Sequence, residues 1–156
     1  MRRSIRAIAV LFMAASAVTP RALTQGQASK PEVQQAAIRK VLEAQVEAWN
    51  KHDLEGFMFG YWNSPRLTFF SGAKETQGWQ ATLERYRKNY ESAHAEMGKL
   101  EFSDLQIDML GPQSAFVLGQ FRLTLSNGKQ PHGLFTLIFR EFPEGWRIVH
   151  DHSSGE

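Results

Sequence analysis

The chain contains no cysteine. No disulfide can staple it, and no thiolate can act as nucleophile or metal ligand. Whatever fold it adopts rests on an apolar core, which 156 residues can supply as one domain. The sequence also lacks a glycine-rich phosphate loop, a nucleophile elbow and an HExxH zinc motif, so none of the chemistries that those spacings serve is signalled. No apolar run reaches the roughly 20 residues of a membrane-spanning helix. The longest is an essentially apolar stretch of 12, Ala7 to Val18 (AIAVLFMAASAV).

Acidic residues are missing from the first 30 positions, which hold five basic ones: Arg2, Arg3, Arg6, Arg21 and Lys30. The remainder carries 13 basic against 16 acidic residues, so the basic character of the whole chain, +2, belongs to this leader alone. A nucleic-acid partner is therefore not expected. A basic start, a short apolar run and the small residues Ala15-Ser16-Ala17 or Gly26-Gln27-Ala28 read as a secretory signal and not a stable membrane anchor. Residues 19–30 are small and polar, a tether. The division is thus 1–30, signal and tether, and 31–156, one domain.

From Pro31 the pattern turns helical, with apolar residues at Ile38, Val41, Leu42 and Trp49 and an end near Lys51-His52-Asp53. Asp53 suits the N-cap of a second, shorter helix carrying Leu54, Phe57, Met58 and Tyr61, stopped by Asn63-Ser64-Pro65. A strand over Leu67–Phe70 and a turn at Ser71–Lys74 follow. A third helix begins near Gly78-Trp79, with Trp79, Leu83, Tyr86 and Tyr90 on one face. Four long strands remain, Lys99–Leu110, Ser114–Leu125, His132–Phe142 and Trp146–Ser153. Asn127-Gly128 between the second and third of them is a strong hairpin signal. In the first, apolar parity switches between Phe102 and Leu105, which predicts a β-bulge near Ser103-Asp104. The later strands are apolar on both faces, so both faces need cover. Helices can cover one, and a second copy of the chain the other.

Three helices wrapped by a bent, mostly antiparallel sheet in this order resemble the NTF2-like cone, an α+β fold also called cystatin-like. "AIRKVLEAQVEAWNKHDLEGF" (Ala37–Phe57) resembles its opening helix. "FTLIFREFPEGWRIVHDHSS" (Phe135–Ser154) is similar to the closing hairpin of the SnoaL-like branch, often called DUF4440, which also resembles the association domain of calmodulin-dependent kinase II. The resemblance implies a pocket between the helices and the concave sheet face, and a homodimer formed through the sheet. It implies no single activity.

Ketosteroid isomerase shows the best-defined chemistry on this fold: a carboxylate base, a tyrosine and a protonated aspartate. Aligned without gaps from Asp53, the family tyrosine falls on Gln45 and the base on Phe69, and no carboxylate stands in Leu67–Phe70. Isomerisation by that route is not expected. Gln45 lies in an apolar helical stripe with Ile38, Leu42 and Trp49, so its amide is either satisfied by neighbouring backbone or bonds a ligand. By simple alternation, His150 and His152 share a face of the last strand with Trp146 and Ile148, away from Asp151. They read as a structural pair or as pocket acid–base groups beside Gln45. No further ligands stand at metal spacing, so no metal and no cofactor is expected. Arg122 and Arg140 interrupt apolar strands, either as a solvated rim or as inward anchors for an anion. Trp49, Tyr61, Phe69, Trp79 and Tyr86 are core aromatics that also wall a pocket. The resulting expectation is an exported domain with a mostly apolar pocket for a small organic molecule, acting as a lyase- or isomerase-type enzyme or as a non-catalytic binding or assembly module.

The leader yields a direct prediction. The mature protein is expected in the periplasm or medium, starting between residues 18 and 31. N-terminal sequencing of exported material checks this, and an intact Met1 form confined to the cytoplasm would contradict it.

Overall fold

The computed structural model describes residues 30–93 and 95–155. The signal, tether and cleavage positions lie outside the described residues, apart from Lys30. Helix α1 (Lys30–Asn50) carries one inward stripe, Gln34, Ile38, Leu42, Gln45 and Trp49, repeating at three- and four-residue intervals as an amphipathic helix requires. His52 has a positive φ of 59° and turns the chain, and the Asp53 carboxylate accepts the Gly56 N–H at 2.8 Å to start α2 (Leu54–Met58). The hairpin β1 (Thr68–Ser71) and β2 (Lys74–Gln77) turns at Gly72, and α3 (Trp79–Arg87) follows. The helix then widens into one π-helical turn, Lys88–Ser92, not anticipated by its even spacing of aromatics.

Strands β3 (Lys99–Gly111), β4 (Ser114–Thr124), β5 (His132–Phe142) and β6 (Gly145–Gly155) run antiparallel in sequence order. The six-stranded sheet has the order β2-β1-β6-β5-β4-β3, with β1 parallel to β6, and is open rather than closed. This is an α+β, NTF2-like (cystatin-like) architecture of three helices on a mixed sheet. Among the described residues no helix is long and apolar enough to cross a membrane.

Among the described residues the sheet has three register shifts, one of them near the β3–β4 turn at Leu110, and the other two bear on the cavity. In β3, Asp104 and Leu105 together oppose Gly119, and Asp104 takes a positive φ of 52°. This is the bulge that the parity switch predicts. Gly119 is needed there, because a Cβ would fall 2.3 Å from the Phe135 ring and 2.8 Å from Leu105. The second bulge lies in β6, where Ile148 pairs with Phe139 but His150 pairs with Ile138, leaving Val149 as the extra residue. A bulge reverses side-chain parity along its strand. Trp146 and Ile148 point to the helices before it, and Asp151 and Ser153 point there after it. The simple alternation that placed His150 and His152 with Trp146 and Ile148 is therefore corrected.

The core lies between the helices and the concave face, where Phe135, Leu137 and Phe139 of β5 meet Val117 of β4, Ile148 of β6 and the α1 stripe. The convex face carries Phe116, Leu118, Leu134 and Ile138, of which Leu134 is 61% exposed. Side-chain hydrogen bonds bind α1 to the sheet edge: Gln35 Nε2 donates to Ile107 O at 2.8 Å, and Asn50 exchanges two bonds with Leu100. No buried side-chain polar atom lacks a partner among the described residues.

Candidate functional site

A cavity of about 180 Å³ opens between α1, α3 and the concave sheet face. Its walls are mostly aromatic. Trp49 meets Phe57, Tyr86 and Tyr90 edge-on at 5.1 to 6.0 Å, and its indole N–H donates to Met97 O at 3.1 Å and Gly98 O at 3.2 Å. Phe69 stacks on Tyr86 with centroids 5.7 Å apart. These contacts lock the rings, so the space between them is set by packing and not by side-chain freedom.

One end of the cavity is polar. Asp151 is 4% exposed, and its carboxylate accepts a hydrogen bond from Tyr61 Oη at 2.7 Å and another from Ser153 Oγ at 2.7 Å. Tyr86, whose ring stacks on Phe69, stands near enough to Tyr61 and Asp151 for the three groups to influence one another electrostatically. Removal from water raises the Asp151 pKa to about 6, although the bonds from Ser153 and Tyr61 and the nearby His152 pull it down. Burial likewise raises the Tyr61 and Tyr86 phenols well above their ordinary range, reinforced by the Asp151 charge, so both remain hydrogen-bond donors at neutral pH.

The sequence-predicted residues separate into two groups. Gln45, Trp49, Tyr61, Phe69 and Tyr86 line the cavity. The Gln45 amide is buried, and its Nε2 donates to Phe57 O at 3.1 Å. It lies so close to the chain that a Cβ on Gly60 would stand 2.6 Å from its Cδ.

His150, His152, Trp79, Arg122 and Arg140 do not line the cavity. His150 Nδ1 is 2.7 Å from Thr68 Oγ1, with the Phe70 ring edge-on to both histidines, on the convex side of the sheet. Burial and the neighbouring His152 lower the His150 pKa. The proposed pairing of these histidines with Gln45 is corrected by the Val149 bulge. Trp79 donates to Met58 O at 2.9 Å and fastens α3 to α2. Arg122 and Arg140 are exposed on the convex face, with Arg140 over the Phe142 ring. Among the described residues no cluster of three metal-ligating side chains exists.

Sequence reasoning missed Asp151, and also Arg85, Asn89 and Ser153 beside it. The gapless alignment shows no carboxylate near position 69, yet β1 lies parallel to β6 with Phe69 directly paired to Asp151. A carboxyl group does stand next to the Phe69 position. It comes from a neighbouring strand 82 positions further along the chain.

The SnoaL-like domain family matches this chain over residues 38–155. An NTF2-like protein of unknown function from Shewanella oneidensis MR-1 is 38% identical, with a TM-score of 0.71 over 77% of this chain and 98% of that one. A domain of unknown function with a cystatin-like fold from Nostoc punctiforme shares the fold at 19% identity, with a TM-score of 0.68 over 78% of this chain and 76% of its own. A ketosteroid isomerase-like protein from Erwinia carotovora does so at 16% identity, with a TM-score of 0.64 over 77% and 94%. No curated protein matches the sequence.

The buried carboxyl makes stability depend on pH with a defined sign. The folded state holds the Asp151 proton more tightly than the unfolded chain, whose aspartates titrate near 3.9. Its relative stabilisation is full below about pH 4 and is lost as pH rises through about 6, amounting to about 2–3 kcal/mol. Asp151→Asn is expected to gain stability relative to the parent across this window. Urea denaturation of both proteins at pH 4.5, 6 and 8 measures the difference, and a difference that does not change with pH would show that the carboxyl is not held as described.

Proposed function

Because the chain belongs to the SnoaL-like domain family, we propose that its cavity binds a small organic molecule with an apolar body and a polar group directed at Asp151 and Tyr61. The observation that carries this reading is the buried Asp151 carboxylate, hydrogen-bonded by Tyr61 and Ser153 with Tyr86 nearby, at one end of an otherwise aromatic cavity. A buried carboxyl that costs stability at neutral pH is more often kept for a site than for the fold. The volume limits the ligand. About 180 Å³ is close to a cavity that takes one benzene-sized molecule and below the roughly 300–1,000 Å³ of drug-sized ligands. A multi-ring steroid does not fit it as it stands.

The same group supports a reaction class. A carboxyl with pKa near 6 can both accept and return a proton at neutral pH, while the Tyr86 phenol, which stays protonated, can donate a hydrogen bond to charge developing on an oxygen. Proton transfer of lyase or isomerase type is the chemistry these residues suit, with Asp151 in the role first assigned to the histidines. One observation favours a non-catalytic binding module instead: both carboxylate oxygens already accept hydrogen bonds from the protein. The leader composition supports placing either activity outside the cytoplasm.

Phenol, a single ring with one hydroxyl, is the simplest probe of the cavity. Titration followed by amide NMR is expected to shift Phe69, Tyr86 and Asp151, and filling the cavity with Leu137→Trp is expected to abolish those shifts. Shifts confined to the convex face, or none at all, would sink the cavity reading.

The convex apolar face supports a homodimer through the sheet, as the resemblance implies. A standard interface of about 800 Å² per partner would cover Phe116, Leu118, Leu134 and Ile138. Light scattering is expected to give twice the chain mass at micromolar concentration, and Leu134→Glu to halve it. A wild-type monomer at that concentration would overturn this assembly.

A further inference from the structure

Two charged side chains line the cavity, and they stand at different depths. Asp151 is enclosed, whereas Arg85 is half-buried and shares the outer part of the lining with the exposed Asn89. Arg85 has no carboxylate partner among the described residues. Its Nη1 donates to Thr76 Oγ1 at 3.0 Å, and its guanidinium carbon lies 5.0 Å from the centroid of the Phe69 ring. One hydrogen bond and one ring contact hold the guanidinium in place while leaving most of its N–H donors unused. A planar, immobilised fork of that kind matches a carboxylate with two parallel bonds. The other arginine of α3, Arg87, is spent on Glu55 and Glu91 outside the cavity. The π-helical turn directly after α3 brings Asn89 to the same rim, and irregular turns of this type recur at functional sites.

We propose that the ligand is a ring-sized organic acid, its carboxylate held at the cavity mouth by Arg85 and Asn89 and its ring between Phe69, Tyr86 and Trp49. This rests on the cavity reading above and adds the substrate class and orientation to it. Orientation follows from charge. A carboxylate entering first would meet the Asp151 carboxyl, and two like charges in a confined apolar space repel strongly. With the anionic end outside, the inner end of the ring reaches Tyr61, Tyr86 and Asp151, where a hydroxyl can donate to the carboxylate and accept from the Tyr86 phenol. Arg85 is then a specificity residue that selects acids over neutral isosteres.

The test compares benzoate with its neutral isostere benzamide, and both with phenol, by NMR titration at pH 8. Wild type is expected to bind benzoate more tightly than benzamide. In Arg85→Gln, which keeps a donor for Thr76, benzoate affinity is expected to fall about 10- to 100-fold, the usual worth of a charge-assisted pair. Phenol affinity in Arg85→Gln is expected to fall far less than benzoate affinity, and the convex-face variant Arg122→Gln to retain binding of both. Equal affinity of wild type for benzoate and benzamide would overturn the proposal, as would unchanged benzoate affinity in Arg85→Gln. In either case phenol still bound in the cavity would leave the binding reading intact. Loss of phenol binding in wild type itself would remove both.

Discussion

Val149 is one residue too many in the last strand, and the arrangement of the site depends on it. Up to Ile148 the strand keeps step with β5, and from His150 onward it is shifted by one. A shift of one position exchanges the faces of every later side chain. Without it the cavity would receive two imidazoles and the convex face a carboxyl. With it, Asp151 and Ser153 turn inward and the histidines turn out towards Thr68 and Phe70. The bulge in β3 plays the complementary part. It bends the far edge of the sheet at Gly119, where the absence of a Cβ leaves room for Leu105 and for the Phe135 ring that lines the cavity.

Placing a carboxyl in that space has a cost, which the surrounding residues partly offset. Tyr61 and Ser153 supply two short hydrogen bonds, and the carboxyl answers the rest by holding its proton up to about pH 6. The tyrosines respond in the opposite functional sense: burial and the adjacent negative charge keep them protonated. The result is a carboxyl able to exchange a proton beside phenols that stay donors. Such a division of roles among neighbouring titratable groups is what proton-transfer sites require.

The sheet separates two kinds of surface. Its concave face, with the helices, encloses a small aromatic cavity that has an acidic inner end and a cationic outer one. Its convex face presents apolar residues with Arg122 and Arg140 among them. Arginines on the two sides therefore have unlike surroundings. Arg85 stands over an aromatic wall beside a cavity, and the convex pair stands on a broad face with water nearby. Burial of the first raises the energy of any anion contact it makes, because fewer water dipoles screen it.

Much of the architecture was legible in the sequence because it follows from local rules. The helical stripe of Ile38, Leu42, Gln45 and Trp49, the Asp53 cap, the Asn127-Gly128 turn and the parity switch at Phe102 to Leu105 each act over a few residues. The cavity aromatics Trp49, Tyr61, Phe69 and Tyr86 were legible for the same reason, since apolar rings at inward positions have nowhere else to go. Asp151 was not, for two physical reasons. Val149 is as ordinary a strand residue as its neighbours, and only the pairing of β6 with β5 makes it the unpaired one. The meeting of Phe69 with Asp151 depends on β1 settling parallel to β6, a contact between segments far apart in the chain. Side-chain type and short-range spacing determined the elements and their apolar faces. Strand register, which forms only when the whole sheet assembles, decided which polar groups share the cavity.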